Sequence, residues 1–346
     1  LNTSNQISFQ LSVLRNSDFA VLNVWHLIRF CGCEQYSGTF KFRLILMKFG
    51  IAYICELVAS KKNNPTRKIK TKIQDKMDKA NFTFQKPKNA FLASIVDDYF
   101  YIDTLVSELN PEPEFIIPYP RITFGYFFNH PFTATNQTLN ESAIVNISIS
   151  KISTQKIIVQ PNSDRIKICG AHINPFALAY LTKTPIHSFP WLINTEDLFG
   201  DITRKFIKRL DKATDTETMF AEVEKVFLDN LLVRDLSLIT EAVNIIENSE
   251  ENIEISKLAK ELGVTDRTLR NHFYDYVGCS PKEYIKIVKL KKVAYQLAQQ
   301  KDSLTEIAYD NQYFDQAHFI KELKEVTGFT PGELRKEIAN FRFLQF

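Results

Sequence analysis

The chain has 346 residues, 45% of them hydrophobic, and a formal net charge of +3. That length suits about two domains at roughly 150 residues each, with enough apolar residues for real cores. A balance so close to neutral excludes naming a partner from overall charge, and a nucleic-acid footprint would have to be a local face.

Residues 1–76 show little periodic pattern and carry a basic stretch from Lys61 to Lys72. The first residue is Leu1, whereas Met77 opens "MDKANFTFQKPKNAFLASIVDDYFYI", which reads as the start of an ordinary domain. Residues 1–76 are therefore expected to be a non-native or disordered extension, against the alternative of a small helical or strand-containing appendage. The longest apolar tract, Leu44–Val58, is broken by Lys48 and Glu56 and is too short to span a bilayer. It resembles a signal peptide only faintly, because Glu56 cuts its apolar part short. No membrane partner is expected.

Residues 81–190 are mostly strand-like. Ile122, Phe124, Tyr126 and Phe128 alternate with Thr123, Gly125 and Phe127, and short β-branched runs follow at Ala143–Ile152, Lys156–Gln160 and Arg165–Cys169. The turn signal Pro161-Asn162-Ser163-Asp164 separates the last two. At "NPFALAYLT" a helix is expected, with Asn174 as cap and Pro175 in its first turn, running to about Thr182. Beyond Trp191 the period is helical, with Phe199, Ile202, Phe206 and Leu210 on one stripe and Met219, Val223, Val226, Phe227 and Leu231 on another. The reading is a small antiparallel β domain with a helical pair, residues 77–232, suited to binding a small-molecule effector, to pairing with itself, or to both.

This half offers no Gly-rich phosphate loop, nucleophile elbow or paired catalytic carboxylates, so no catalytic residue is assigned and no enzyme is expected. The five cysteines, Cys31, Cys33, Cys55, Cys169 and Cys279, are odd in number and lack zinc spacing apart from the weak Cys31-Gly-Cys33. They are read as reduced thiols of a cytoplasmic protein. The histidines form no two-His metal motif, and His26, His130, His172 and His187 are read as structural. Neither a metal nor a cofactor is expected.

The C-terminal hundred residues carry a duplicated instruction. "GCSPKEY" at Gly278–Tyr284 returns as "GFTPGEL" at Gly328–Leu334. In each, a glycine suits the left-handed position after a helix, Ser280 or Thr330 N-caps the next helix, proline fits its first turn, and Glu283 or Glu333 completes a capping box. Upstream, the apolar pair Leu269 and Phe273 matches Phe319 and Leu323, and Leu258-Ala259 matches Ile307-Ala308 with one extra residue in the second copy. Ile255, Leu258, Ala259 and Leu262 make one face of a short helix, Gly263 turns the chain, and Thr265 caps a helix from Asp266 to about Val277. That is a helix-turn-helix, whose second helix can lie in the DNA major groove. Its exposed positions are Arg267, Arg270 and Asn271, side chains that pair bidentately with guanine or adenine.

The second copy places Leu304, Ile307 and Ala308 on the supporting helix and Asp315, Gln316 and Lys321 on the reading helix. A connecting helix from Pro281 to about Gln300 would span roughly 30 Å at 1.5 Å per residue, close to one turn of DNA. Two reading helices would then enter successive major grooves of double-stranded DNA. Arg267, Arg270, Lys282, Lys286, Lys289, Lys291 and Lys292 concentrate positive charge in this region, and Lys289 is a candidate phosphate contact.

The stretches "VTDRTLRNHFYDYVGCSPKEYIKIVKLKKVAYQLA" and "LTEIAYDNQYFDQAHFIKELKEVTGFTPGEL" resemble the DNA-binding domain of AraC/XylS-type bacterial transcription regulators. The resemblance implies an AraC-type DNA-binding domain at residues 236–340, with base reading by Arg267, Arg270 and Asn271, then by Gln316 and Lys321. It places Thr265 and His318 nearer the phosphates. It also implies a homodimer, contact with RNA polymerase, and control by an effector. Where that family has glycine in the second turn, this chain has Gln312, which costs little if φ stays negative and otherwise would weaken or reorient the second reader. The expected fold class is thus α+β, a β domain with a helical pair followed by an all-α domain of two helix-turn-helix units. The alternative function is an enzyme or repair protein fused to the same DNA-binding domain, which would need a zinc-bound cysteine cluster.

Overall fold

A computed structural model of the protein describes residues 81–108, 113–299 and 302–337. The expectations for residues 1–76, and with them Cys31, Cys33, Cys55 and His26, lie outside the described residues. The strands are β1 (Asn81–Gln85), β2 (Val96–Leu105), β3 (Glu114–Ile116), β4 (Ile122–Tyr126), β5 (Phe132–Asn136), β6 (Glu141–Val145), β7 (Ile147–Ser150), β8 (Ile157–Pro161), β9 (Arg165–Ile173) and β10 (Leu192–Ile193). They form two antiparallel sheets, ordered β1-β2-β9-β4-β7-β10 and β3-β8-β5-β6. The helices are α1 (Thr195–Phe199), α2 (Ile202–Lys212), α3 (Thr216–Asp229), α4 (Ser237–Asn248), α5 (Ile255–Glu261), α6 (Asp266–Tyr276), α7 (Pro281–Gln299), α8 (Leu304–Asp310), α9 (Gln316–Thr327) and α10 (Pro331–Glu337). This is the α+β architecture read from the sequence.

Alternation explains the strands, and departures from it explain where they stop. In β4, Ile122, Phe124 and Tyr126 are buried on one face, and the strand ends because Phe128 and Asn129 turn left-handed at φ 41° and 63°. The apolar run 143–152 is two strands: β6 pairs with β5 in one sheet, while β7 crosses to pair with β4 in the other. The helix expected at 174–182 is only a 3-10 turn, Ala177–Tyr180. Its intended cap is used elsewhere, because the Asn174 Nδ2 donates to the Ser94 carbonyl at 2.9 Å instead of its side chain receiving a helix N–H. The apolar stripe after Trp191 is interrupted by Gly200 at φ 53°, which separates α1 from α2. Asp215 then caps α3 by accepting from the Thr218 N–H at 2.8 Å.

Among the described residues three apolar clusters stand out. The largest joins the β1-to-β10 sheet to Phe206, Phe220, Val223 and Phe227 of α2 and α3, and continues through Ile239 and Val243 of α4 to Leu258, Leu269, Phe273 and Tyr284. The second gathers Leu290, Val293 and Leu297 of α7 with Ile307, Phe319, Leu323 and Leu334, and includes Ile117 from the segment after β3. The third, between the two sheets, holds Phe100, Ile102, Phe132, Ile166 and Ile168. Burying a side chain such as Phe206 or Phe319 contributes about 1.5–3 kcal/mol relative to exposure.

Gly170, in the middle of β9, shows how tightly these layers meet. A Cβ there would lie 2.3 Å from the Phe124 carbonyl oxygen and 2.4 Å from the Phe100 ring. The bare backbone lets the Phe100 ring lie across the strand, stacked on His172 at 4.7 Å. Gly170→Ala should therefore destabilise the protein by about 2–3 kcal/mol through overpacking, measured as a lowered urea midpoint. An unchanged midpoint would contradict this account of the close approach.

Candidate nucleic-acid interface

The first helix-turn-helix is α5 and α6. Gly263, at φ 69°, makes the turn between them without a Cβ penalty. Thr265 caps α6, its hydroxyl accepting from the Thr268 N–H at 3.1 Å. Leu269 and Phe273 are fully buried, which fixes the rotation of the helix and leaves Arg267, Arg270, Asn271 and Tyr274 exposed along the opposite face. Among the described residues neither arginine is held in an ion pair, so both guanidinium groups are free for an external acceptor. Gly278, left-handed at φ 90°, ends the segment, and Ser280 and Glu283 form the expected reciprocal cap at 3.2 and 2.8 Å.

The second unit, α8 and α9, repeats this with differences. Ser303 and Glu306 make a capping box at the start of α8, which the sequence reading had not singled out. Asp315 is the cap of α9 rather than a member of its reading face, because its carboxylate accepts from the His318 N–H at 2.7 Å. Gln316, His318 and Lys321 are exposed on α9, with His318 Nε2 3.6 Å from a Glu322 carboxylate oxygen. Gln312 sits at φ 55°, so the turn does not keep the negative φ that would have made a non-glycine residue cheap. Gly328 at φ 82° and the Thr330–Glu333 cap at 3.3 and 2.7 Å close the unit.

Two aromatic residues near α9 escaped the sequence reading. Phe314 is 93% exposed and Tyr309 82% exposed. Tyr313 occupies the core position beside Phe319. The signal was the adjacency of Tyr313 and Phe314, which cannot both face inward at the start of one helix. Lys289 is half-buried, its ammonium 3.6 Å from the centre of the Tyr313 ring. Burial lowers its pKa, with the Glu322 charge opposing. The phosphate contact expected of Lys289 and this ring contact would use the same ammonium. The helix that carries it, α7, has 19 residues, about 28 Å at 1.5 Å per residue.

Both units rest on the β-rich part of the chain. The segment between β3 and β4 sends Ile117 into the core of the second unit, and Phe115 meets the Phe329 ring edge-on at 5.3 Å. Next to it, Arg121 donates from Nε to Asp97 at 2.5 Å and from both Nη atoms to Glu247 of α4 at 2.5 and 2.9 Å. Asp97 lies at an irregularity in the β2–β9 pairing, which aims it at Arg121. The Tyr284 hydroxyl of α7 also donates to Glu247, and Lys291 lies 5.0 Å from the Tyr119 ring centre. Burial would lower the Arg121 pKa, but the Glu247 hydrogen bonds and the Asp97 and Glu247 charges raise it above its ordinary value. For Glu247, burial pushes the pKa up, but Arg121 and then Tyr284 prevail and hold it below its ordinary 4.5.

A cavity of about 250 Å³ opens between the two sheets. Its walls are mainly apolar, with Phe84, Phe100, Ile102, Phe132, Val159 and Ile168 prominent, and Ile116, Ile117, Tyr119 and Arg121 also face it. Several of its polar side chains are already engaged. Ser150 accepts from the Thr123 N–H at 2.8 Å, Gln155 from Asn136 at 2.9 Å, and Lys151 donates to the Phe189 carbonyl at 2.8 Å. His172 bonds Asp98 at 2.8 Å, His130 bonds Ser163 at 3.0 Å, and His187 lies 3.3 Å from the Tyr274 carbonyl. Cys169 and Cys279 are free thiols, both buried; burial pushes Cys169 up to about 12. Among the described residues no helix is long and apolar enough to cross a membrane.

Residues 258–337 match the helix-turn-helix domain family. An uncharacterized HTH-type transcriptional regulator of Haemophilus influenzae is 24% identical over 172 residues, 49% of this chain and 56% of that protein. A transcriptional regulator of Chromobacterium violaceum described by its AraC-type DNA-binding domain is 29% identical, with 30% of this chain covering 93% of that structure at a TM-score of 0.28. ToxT of Vibrio cholerae is 13% identical, with 69% of this chain covering 97% of that structure at a TM-score of 0.42. The chain spans a little over half the length of the first of the curated relatives it matches and about a third of the next two.

The depressed pKa of Glu247 sets the sign of a pH effect. Its stabilising contribution is complete above the ordinary value of 4.5 and is lost as pH falls through the lowered one. Glu247→Gln should lower the urea midpoint at neutral pH, and the gap from wild type should close as pH falls from above 4.5 through the lowered value. A gap that stays constant over that range would show that the Glu247 charge contributes nothing.

Proposed function

We propose, for a chain whose residues 258–337 match the helix-turn-helix domain family, the function of a sequence-specific DNA-binding transcription regulator of AraC type that reads two successive major grooves. The observation that carries this is the exposed stripe of Arg267, Arg270 and Asn271 on a capped helix whose other face is buried, followed by a second capped helix displaying Gln316 and Lys321. In this reading Arg267 and Arg270 take guanine edges and Asn271 an adenine edge, while Gln316 and Lys321 read the second half-site. Thr265 and His318, at the first turns of their helices, lie toward phosphates. The exposed Phe314 ring, immediately before the α9 cap, suits apolar contact with a thymine methyl group.

Control by a small effector belongs to the same reading. The cavity between the sheets is apolar and its polar groups are largely satisfied, which favours a small, mainly apolar and uncharged molecule. The segment that lines it also carries Ile117 to the second unit and Arg121 to Glu247, so a ligand that displaces this wall acts on the seating of both units. Pairing of two copies through the β-rich part is supported by the edge position of β6 and by Ile144, 71% exposed on it.

Selection of bound sites from a random DNA pool tests the reading. The expected result is a two-part motif with halves about 10 base pairs apart, centre to centre. Arg270→Ala should then cost about 1–3 kcal/mol on the selected site, relax preference at one or two base pairs, and change binding to random DNA little. Equal losses on selected and random DNA would reduce Arg270 to a general electrostatic contact, and a pool without enrichment would overturn the function.

A further inference from the structure

The second turn of the duplicated domain contains a contradiction that its surroundings resolve. Gln312 adopts φ 55°, a left-handed backbone that glycine takes freely and a long side chain rarely does. The side chain is fully employed. Its Oε1 accepts from the Asn252 N–H at 2.8 Å, its Nε2 donates to the Glu250 carbonyl at 2.8 Å, and its own carbonyl accepts from the Asn252 Nδ2 at 3.3 Å. Residues 250–252 lie in the connection between α4 and α5, at the entrance to the first helix-turn-helix. The same connection is held from a third direction, because Lys292 on α7 donates to the Ser249 carbonyl at 2.5 Å.

We infer that Gln312 is a positioning residue that locks the second reading helix at a fixed distance and rotation from the first, and thereby sets the one half-site spacing the protein accepts. The inference rests on the two-groove reading above. A glycine would relieve the backbone but forfeit the two side-chain hydrogen bonds, leaving the longer Asn252 bond to the residue 312 carbonyl, the Lys292 contact, α7 and the separate apolar cores to hold the units in register. Inserting one base pair between the half-sites moves the second half by about 3.4 Å and turns it by roughly 35°. A locked pair of readers cannot follow that displacement, whereas an unlocked pair can follow part of it.

The experiment uses the full chain and the selected two-part site, together with the same site carrying one base pair inserted or deleted between its halves. Wild type should lose about ten-fold or more in affinity on either altered spacing, the scale of one lost base contact. Gln312→Gly should bind the native spacing within about three-fold of wild type and lose no more than about three-fold on the altered ones. Gln312→Asn, which tolerates the left-handed backbone but is one methylene too short to span the gap, should behave like the glycine variant. Thermal melting confirms that both variants are folded. An unchanged spacing penalty in Gln312→Gly overturns the inference. Relaxation by glycine but not by asparagine also overturns it, by assigning the effect to backbone freedom. A wild-type protein indifferent to spacing would instead overturn the two-groove reading, and this inference with it.

Discussion

The guanidinium of Arg121 gathers three parts of the chain at one point: Asp97 at the bulge of β2, Glu247 on α4, and through Glu247 the Tyr284 hydroxyl on α7. Its side chain is 11% exposed and that of Glu247 22%, so the pair is largely out of water. Charges placed there must stay together, because separating them leaves each with a desolvation penalty that its partner had offset. That requirement, more than any net gain from the ion pair, gives the helical units a defined seat on the β-rich part. The apolar contacts of Ile117, Phe115 and the Phe273–Tyr284 region then close around a geometry the charges have already specified.

What was legible in the sequence was the local grammar. The capping residues, the left-handed glycines and the apolar pairs on α6 and α9 follow from periods and cap chemistry that operate over a few residues. They located both units and the length of the connector almost to the residue. The β-rich half was legible as strands but not as sheets. That β6 and β7, separated by Asn146 alone, belong to opposite sheets depends on partners that are distant in sequence, and no alternation pattern records it. The failed helix near Asn174 has the same cause, since the cap residue spends its amide on Ser94, eighty residues earlier. Phe314 was overlooked and Asp315 placed one position too far into the helix for a different reason: at the first turn of a helix one residue of phase decides between core, cap and exposed face.

The two helix-turn-helix units share a grammar but not an environment. The first is continuous with the largest core, and the far end of α6 is pinned beside Ile186 and His187. The second has a core of its own, joined to the β-rich part mainly through Ile117 and Phe115. The duplicated motif therefore gives one unit built into the body of the protein and one held at the end of a 19-residue helix.

That separation has a consequence for how the protein breathes. Opening the second unit disrupts only its own small cluster and a few polar ties, whereas opening the first tears the core that also supports α3 and the main sheet. Backbone amides of α9 can thus become solvent-accessible by a sub-global unfolding that leaves α6 intact, while those of α6 wait for the whole molecule. The chain carries two cooperative units of unequal depth, and proteolysis under native conditions would enter at the shallower one.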